Sequence, residues 1–313
     1  MSLLLPCLLA ASIAFPKEGQ RLPFVERCYI SGSVRPGVTN VVVQGRDVAV
    51  HPMGGWVTMV DVVEGTNTFE VAGAKRTFFV AKRPLVTLSA GSAPAKVYTK
   101  LDYAGDAPKA KPVGQSPDAV TVVVDAGHGG KADTGAMSPH SLREADLNLA
   151  LAKNVRDALE RRGFRVVMTR TNDVAVALYD RPKVAHANGA DAFISIHHNA
   201  PPLDKDPTKI RYHAVYAWNA IGEELAGALN KRLAAAFGAT LKDNGVMHAN
   251  FAVTRNPEIP SCLVETDFIT TPQGEIDSWD KARRLKVAEA IAAGVADWLA
   301  PTDAAPQAQE VAK

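Results

Sequence analysis

The sequence predicts an α/β protein, in which a layered, mostly parallel sheet with helices on both faces follows a small all-β sandwich domain. The 313 residues suffice for two domains of about 150 residues each. Short β segments with regular turn signals fill residues 22–82, whereas V/I-rich runs alternate with amphipathic helical stretches over residues 119–300. Because 47% of the residues are hydrophobic, both domains can bury a core.

Composition excludes several classes of protein. The 35 Lys and Arg residues nearly balance the 33 Asp and Glu residues. The net charge of +2 therefore creates no strong positive field that would attract nucleic acid. Three cysteines are too few for a disulfide framework, and we expect Cys28 and Cys262 to be buried. No stretch reaches the ~18 continuous apolar residues of a membrane helix. We therefore expect a monomer without a transmembrane segment.

Residues 1–14 have the length and character of a signal peptide. The stretch is apolar, and it ends in Ser12, Ile13 and Ala14, which match the small-x-small pattern before a cleavage site. The sequence therefore predicts export.

Residues 22–82 form the predicted β-sandwich module. Val41, Val43, Phe69 and Val71 alternate with polar or small residues, and Gly or Pro breaks recur about every 8 to 12 residues. The pattern resembles the immunoglobulin-like modules that precede catalytic domains in exported bacterial enzymes. We expect Trp56 to be packed in a strand, and nothing in the module has the character of a catalytic group.

Two segments have the composition of unpacked chain. Residues 83–118 contain five prolines among Ala, Gly, Ser and Lys and are predicted to be a linker, and residues 301–313 are predicted to be a disordered tail. A linker of this kind predicts that few contacts cross between the module and the larger domain.

The larger domain, residues 119–300, combines buried strands with amphipathic helices. In its first long helix Leu147, Leu151, Val155 and Leu159 recur every fourth residue, and its last helix spans about residues 280–299. The V/I-rich runs predict strands buried on both faces; they are TVVVD, FRVVMTR, AFISIH, HAVYAW and SCLVET. In such folds the chemistry lies at the carboxyl ends of the strands.

Four polar residues occur at those strand ends. His128 follows the first strand, His197 follows the run FISI, Glu265 ends the run CLV, and Glu144 begins the first long helix. Two histidines and two carboxylates at one edge are what a catalytic zinc site requires, because three of them can hold the ion and the fourth can accept a proton.

Each residue also has a simpler interpretation. Ser141 and Glu144 match a helix capping box, in which Glu144 would bond only the backbone. The glycines around His128 could instead form a phosphate-binding loop, but no matching motif follows them. His197 and His198 point to opposite faces of an extended chain, so at most one of them is a ligand, and the pattern does not choose between them. The remaining histidines of this domain are expected at the surface or in a substrate groove; they are His140, His186, His213 and His248.

The segments VVVDAGHGGKADTGA, LREADLNLALAKNV, VVMTRTND, GADAFISIHHNA and HANFAVTRNPEIPSCLVETDFIT resemble the zinc-dependent N-acetylmuramoyl-L-alanine amidases of the third amidase type. The resemblance implies one zinc ion per chain, held by His128, Glu144 and His197, with Glu265 as the catalytic carboxylate. The family commonly has Gly where Asp267 stands. Asp125 is a candidate hydrogen-bond partner of a ligand imidazole, or else a turn residue at the strand end.

The resemblance also implies a substrate, a location and a mode of regulation. The substrate would be peptidoglycan, cut between the lactyl group of N-acetylmuramic acid and L-alanine, in the periplasm or cell envelope of a bacterium. The alternatives are a catalytically silent cell-wall binding protein and a zinc peptidase acting within the stem peptide. Some family members carry an inserted helix that blocks the zinc site. Here only about three residues, 219–221, separate the strand HAVYAW from the next helix, which predicts an open site.

Overall fold

The computed structural model describes residues 11–82 and 120–300. The linker prediction and the tail prediction fall on residues outside these ranges. The β module contains eight strands within the described residues: Ser12–Phe15 (β1), Arg21–Leu22 (β2), Arg27–Ser33 (β3), Asn40–Val43 (β4), Arg46–Ala49 (β5), Gly55–Asp61 (β6), Gly65–Val71 (β7) and Ala74–Val80 (β8).

The module folds around a single apolar core. Two three-stranded sheets, ordered β1-β3-β6 and β2-β8-β7, and the hairpin β4-β5 enclose side chains such as Ile30, Trp56 and Phe78, which are fully buried. Trp56 is therefore packed, as the sequence predicts. The module begins earlier than residue 22, because β1 pairs with β3 and buries Ile13. Strand β1 thus overlaps the predicted signal peptide, whose cleavage site stays a prediction, as does the immunoglobulin-like topology.

The larger domain is built on one six-stranded sheet with the order β10-β9-β11-β14-β12-β13. Its pairs are parallel except for β12 with β14, which is antiparallel, so the sheet is mostly parallel as predicted. The strands are Thr121–Ala126 (β9), Arg165–Met168 (β10), Ala192–Asn199 (β11), Tyr212–Ala217 (β12), Lys242–His248 (β13) and Ser261–Phe268 (β14). The helices are Glu144–Glu160 (α1), Arg181–Ala187 (α2), Ala220–Phe237 (α3), Pro272–Trp279 (α4) and Lys281–Leu299 (α5).

Helices lie on both faces of this sheet. On one face α1, α3 and α5 bury an aliphatic core that includes the predicted α1 stripe, for example Leu151 and Val155. On the other face α2 and a loop cover Phe193 and Leu263 near the start of their strands. On this second face, the carboxyl ends of β11 and β14 carry the polar side chains of His197 and Glu265. The sequence missed β13, because its largely exposed residues include an Asn-Gly pair typical of turns.

The module and the larger domain touch, although the composition of the linker predicts few contacts between them. The backbone N–H of Tyr29 donates to Leu203 O at 3.2 Å, and Leu203 packs against the module core. The composition of a linker determines its reach and stiffness, but it does not determine whether the surfaces at its two ends are complementary.

The prediction for the cysteines agrees with the structure. Cys28 and Cys262 are both buried and free, and burial raises the pKa of the Cys28 thiol to about 12. Within residues 11–82 and 120–300, no helix has the length and apolar character needed to cross a membrane.

Candidate metal centre

Three of the predicted site residues meet at the carboxyl edge of the sheet. One ligand atom from each of His128, Glu144 and His197 lies within 4.8 Å of the others. Glu144 Oε1 is 3.2 Å from His128 Nε2 and 3.0 Å from His197 Nδ1. Two imidazole nitrogens and one carboxylate oxygen form a donor set that zinc accepts in catalytic sites with an open fourth position.

The neighbouring strands β9 and β11 bring the two histidines together. His197 lies in β11, and His128 follows β9 in a left-handed conformation with φ of 58°. Gly127 is required between them, because a Cβ atom there would lie 2.2 Å from His197 Nε2. Gly127 therefore serves the close approach of the loop to the His197 ring, whereas Gly129 and Gly130 have positive φ and lie against Val174 and Ala175.

Glu265 lies directly beside this cluster. It is paired with His197 in the parallel register of β14 and β11, so the two side chains leave the sheet on the same face about 4.8 Å apart at the backbone. Its Oε2 is buried and has no hydrogen-bond partner within the described part of the chain. Burial, and next the nearby Glu144, raise the pKa of Glu265 well above its usual value. A buried carboxylate oxygen without a partner indicates a place for a cation or a reacting proton.

The electrostatics of the cluster favour positive charge. Burial works against ionisation of Glu144, but hydrogen bonds from His128 and His197 hold its pKa well below the usual value. Burial likewise opposes protonation of His128, but Glu144 and Asp133 outweigh it and raise the pKa of His128 to about 9. Glu144 and Asp133, which stabilise the protonated imidazole of His128, would also stabilise a metal ion bound there in place of a proton.

Asp133, and not Asp125, orients the ring of His128. The Nδ1 atom of His128 lies 2.5 Å from Asp133 Oδ1, which leaves Nε2 facing Glu144. Metal-bound histidines usually have such a partner on the second ring nitrogen. The expectation for Asp125 is wrong: its carboxylate accepts bonds from Thr169, Arg181 and Ser195. Spacing alone carried no signal for Asp133, because its approach depends on the turn of the loop.

Two buried arginines fix the backbone that carries His128. Arg170 donates to the carbonyls of Ala126 and Gly127 and, across the gap, to Ala145 O in α1 at 2.7 Å. Arg181 donates to His128 O at 2.9 Å and pairs with buried Asp125 at 2.8 Å. These bonds hold a residue with positive φ in place and tie the His128 loop to the helix of Glu144.

Comparisons with known proteins agree with this geometry. A family model described as N-acetylmuramoyl-L-alanine amidase matches residues 122–297. The chain belongs to this amidase family. It is 33% identical over 229 residues to the N-acetylmuramoyl-L-alanine amidase AmiA of Escherichia coli, covering 60% of this chain and 78% of AmiA.

Two solved amidase structures are also similar to this chain. One is the amidase AmiC2 of Nostoc punctiforme, with 34% identity, a TM-score of 0.54, and coverage of 57% of this chain and 97% of that one. The other is the catalytic domain of the amidase CwlV from Bacillus (Paenibacillus) polymyxa, with 32% identity, a TM-score of 0.54, and coverage of 57% and 98%. Both similarities lie in the amidase-family domain.

The structure distinguishes between the interpretations that the sequence left open at His197 and Glu144. His198 points away from the cluster, where its Nδ1 donates to Asn148 Oδ1 at 2.8 Å, and burial lowers its pKa to about 4. His198 is therefore a neutral core residue. Glu144 is not part of a capping box, because α1 begins at Glu144 itself and Ser141 does not cap it.

Two of the remaining histidines are not at the surface. His186 and His248 are exposed as expected, with side-chain exposures of 47% and 64%. His213 is fully buried beside Phe237, and His140 is buried against Glu275 of α4. The sequence did not predict their burial, because the contacts come from distant elements: Phe237 of α3 for His213 and Glu275 of α4 for His140.

Asp267, where the amidase family commonly has Gly, is the centre of a buried ion cluster. Its carboxylate accepts two bonds from Arg211, at 2.8 and 2.7 Å, and one from Arg283 at 2.8 Å. Since Asp267 follows Glu265 by two residues, the cluster anchors the end of the strand that carries the orphaned carboxylate.

The expected absence of a long insertion after β12 is also observed. Strand β12 ends at Ala217 and α3 begins at Ala220. Between β11 and β12, only the short 3-10 turn Pro207–Lys209 is present. Neither connection contains an α-helix of the kind that blocks the site in some members of the family.

Replacing Arg181 tests the support of the His128 loop. Arg181→Met should lower the free energy of unfolding by about 3–5 kcal/mol, because it leaves Asp125 as a buried charge without its partner. Lys183→Met, two residues along the same helix, removes only an exposed pair with Asp180 and should leave stability nearly unchanged. Urea unfolding of both variants measures the difference. Equal stabilities would show that the buried pair does not support the loop.

Proposed function

We propose that this protein is a zinc-dependent amidase that hydrolyses the amide between the lactyl group of N-acetylmuramic acid and L-alanine in peptidoglycan. The observation that carries the proposal is the convergence of His128, Glu144 and His197 beside the unpartnered carboxylate of Glu265. Membership of the amidase family supports the choice of substrate and bond. The proposal assigns one zinc ion to each chain.

The ligand side chains are held before any metal arrives. Asp133 bonds the far nitrogen of His128, and Asn148 donates to Glu144 Oε1 at 3.1 Å, so both ligands have fixed orientations. When bound, zinc would polarise the amide carbonyl and lower the pKa of a coordinated water to around 7. The protein supplies the geometry, with little reorganisation of its own.

Glu265 is the proposed general base and acid. Its carboxylate lies beside His197, on the face of the sheet from which the ligands project. It would accept a proton from the water that attacks the amide carbon and then deliver that proton to the leaving nitrogen of L-alanine. The transfer balances, since one water is consumed and the products are a lactyl carboxylate and a free amine.

The proposal includes export, because peptidoglycan lies outside the cytoplasmic membrane. The predicted leader, residues 1–14, would direct the chain to the periplasm or cell envelope. Cleavage after Ala14 would remove three of the residues of β1, so the mature chain would begin within the first strand. A monomer suffices for the proposed chemistry, because all four site residues belong to one chain.

Removing a ligand should remove the metal. His128→Ala or His197→Ala should reduce bound zinc from about one ion per chain to a small fraction, because a three-ligand site loses most of its affinity with one ligand. His248→Ala, at an exposed histidine outside the cluster, is the matched control and should retain the ion. Elemental analysis of dialysed protein measures the content. Full occupancy in the ligand variants would refute the assignment.

Replacing the proposed base should separate binding from chemistry. Glu265→Gln keeps the size of the side chain but removes the proton acceptor, so zinc content should persist while turnover falls by a factor of ~10² or more. Glu258→Gln, with a side chain that is 78% exposed, should behave as the wild type. The assay is release of stem peptides from soluble muropeptides. Undiminished turnover in Glu265→Gln would mean that another group takes the proton.

The protein should need no activator. The connections around the site contain no blocking α-helix, so purified full-length protein should release stem peptides from peptidoglycan without a second protein. A time course of the protein alone, compared with one containing an extract of the source cells, measures the dependence. Hydrolysis only after a partner is supplied would contradict an open site.

A further inference from the structure

The β module contacts the larger domain at three segments, and each adjoins a residue of the metal centre. One segment, residues 133–140, lies between His128 and Glu144. The second, residues 200–209, follows the strand of His197. The third is the start of α4, which follows the strand of Glu265. The module therefore packs against the connections that determine where the site residues lie.

His140 is the most buried polar contact at this junction. Its Nδ1–H donates to Glu275 Oε2 at 2.7 Å, and its Nε2–H donates to Met53 O of the module at 3.1 Å. Glu275 is fully buried and also accepts bonds from the backbone N–H of His140 and from the hydroxyl of Ser138. With acceptors at both ring nitrogens, the imidazolium form is fully satisfied only while the module is docked.

At Gly55 the backbone of the module lies close to the larger domain. A Cβ atom there would lie 3.1 Å from Pro272 Cβ, 3.3 Å from His140 Cε1 and 3.3 Å from Pro139 Cβ. The backbone of Gly55 does not have positive φ, so a larger side chain there is opposed by the tight contact and not by the backbone conformation. The module surface at the start of β6 therefore fits directly against residues 139–140 and α4.

A second contact reaches the segment that holds the ligands. Lys17 Nζ of the module donates to Thr134 Oγ1 at 2.7 Å. Thr134 follows Asp133, the partner of His128, and two residues later the backbone N–H of Ala136 donates to Glu144 Oε2 at 2.9 Å. Residues 133–140 thus bond two of the three proposed ligand side chains, His128 and Glu144, at one end and the module at the other.

We propose that the β module braces the metal centre: by docking through Gly55 and His140 it fixes residues 133–140, and thereby the orientation of His128 and Glu144. His140 is a positioning residue in this account, acting through the backbone of that segment. A module that only bound the cell wall would need no such contact with the loops of the site. The kinetic part of the inference rests on the proposed amidase function, whereas the structural part does not.

A wedge at Gly55 in the full-length protein tests the brace. Gly55→Leu should separate the surfaces, and Gly55→Ala should do so partially. Gly227→Leu, on the exposed side of α3 where an added Cβ meets nothing within 4 Å, is the matched control. We expect zinc affinity, or kcat on soluble muropeptides, to fall roughly 10- to 100-fold in Gly55→Leu, the usual effect of losing the partners that orient metal ligands. KM should change little, and Gly55→Ala should show a smaller loss of the same kind.

Amide hydrogen exchange gives a readout that does not depend on activity. In Gly55→Leu, exchange should accelerate in residues 133–144 and at the start of α4, while the strands of the six-stranded sheet keep their protection. If Gly55→Leu does not fold, Gly55→Ala carries the same comparison. If the wild-type protein binds no zinc or releases no stem peptides, the result refutes the proposed function and not the brace. Folded wedge variants with the exchange and soluble-substrate kinetics of Gly227→Leu would overturn the brace. A loss confined to intact cell walls would also overturn it.

Discussion

The burial of one carboxylate, that of Glu144, is the constraint on which the arrangement of the site depends. A buried carboxylate is costly unless its oxygens are bonded, and here the backbone N–H groups of Ala136 and His198 and the amide of Asn148 supply those bonds. These donors come from three separate segments of the chain. The carboxylate can be buried only when all three segments are correctly folded. The same folding positions His128 and His197 beside it.

The same constraint explains why so much buried charge surrounds the site. Arg170 and Arg181 donate to consecutive carbonyls at the end of β9, and Asp125 neutralises one of them. Such groups contribute little net stability, but they leave the backbone few alternative positions. Beside the proposed ligands, Oε2 of Glu265 is one of the buried atoms without a hydrogen-bond partner in the described residues. A buried carboxylate oxygen without a partner, next to the cluster of His128, Glu144 and His197, is suited to the proposed proton transfer.

The sequence predicted the scaffold and pointed to four residues that the structure brings to one edge of the sheet, because both leave local signals. Buried strands have V/I-rich runs, and a polar residue directly after such a run is conspicuous, as for His128 and His197. It did not predict Asp133, Arg170 or Arg181, because these act through backbone carbonyls and loop turns that no spacing records. It was wrong about His140 for a similar reason. The burial of that ring comes from an element more than a hundred residues along the chain and from a module that the linker suggested would be separate.

The proposed function is hydrolysis of one bond by the four site residues, the amide between the lactyl group and L-alanine. The most direct measurement is to incubate purified full-length protein, loaded with zinc, with purified peptidoglycan and to determine the released products by mass spectrometry. The account predicts intact stem peptides that begin with a free L-alanine amino group, and glycan strands that carry unsubstituted lactyl carboxylates. Cleaved stems whose first L-alanine stays attached to the glycan would identify a peptidase, and an absence of products from zinc-loaded protein would identify a binding protein; either result would contradict the account.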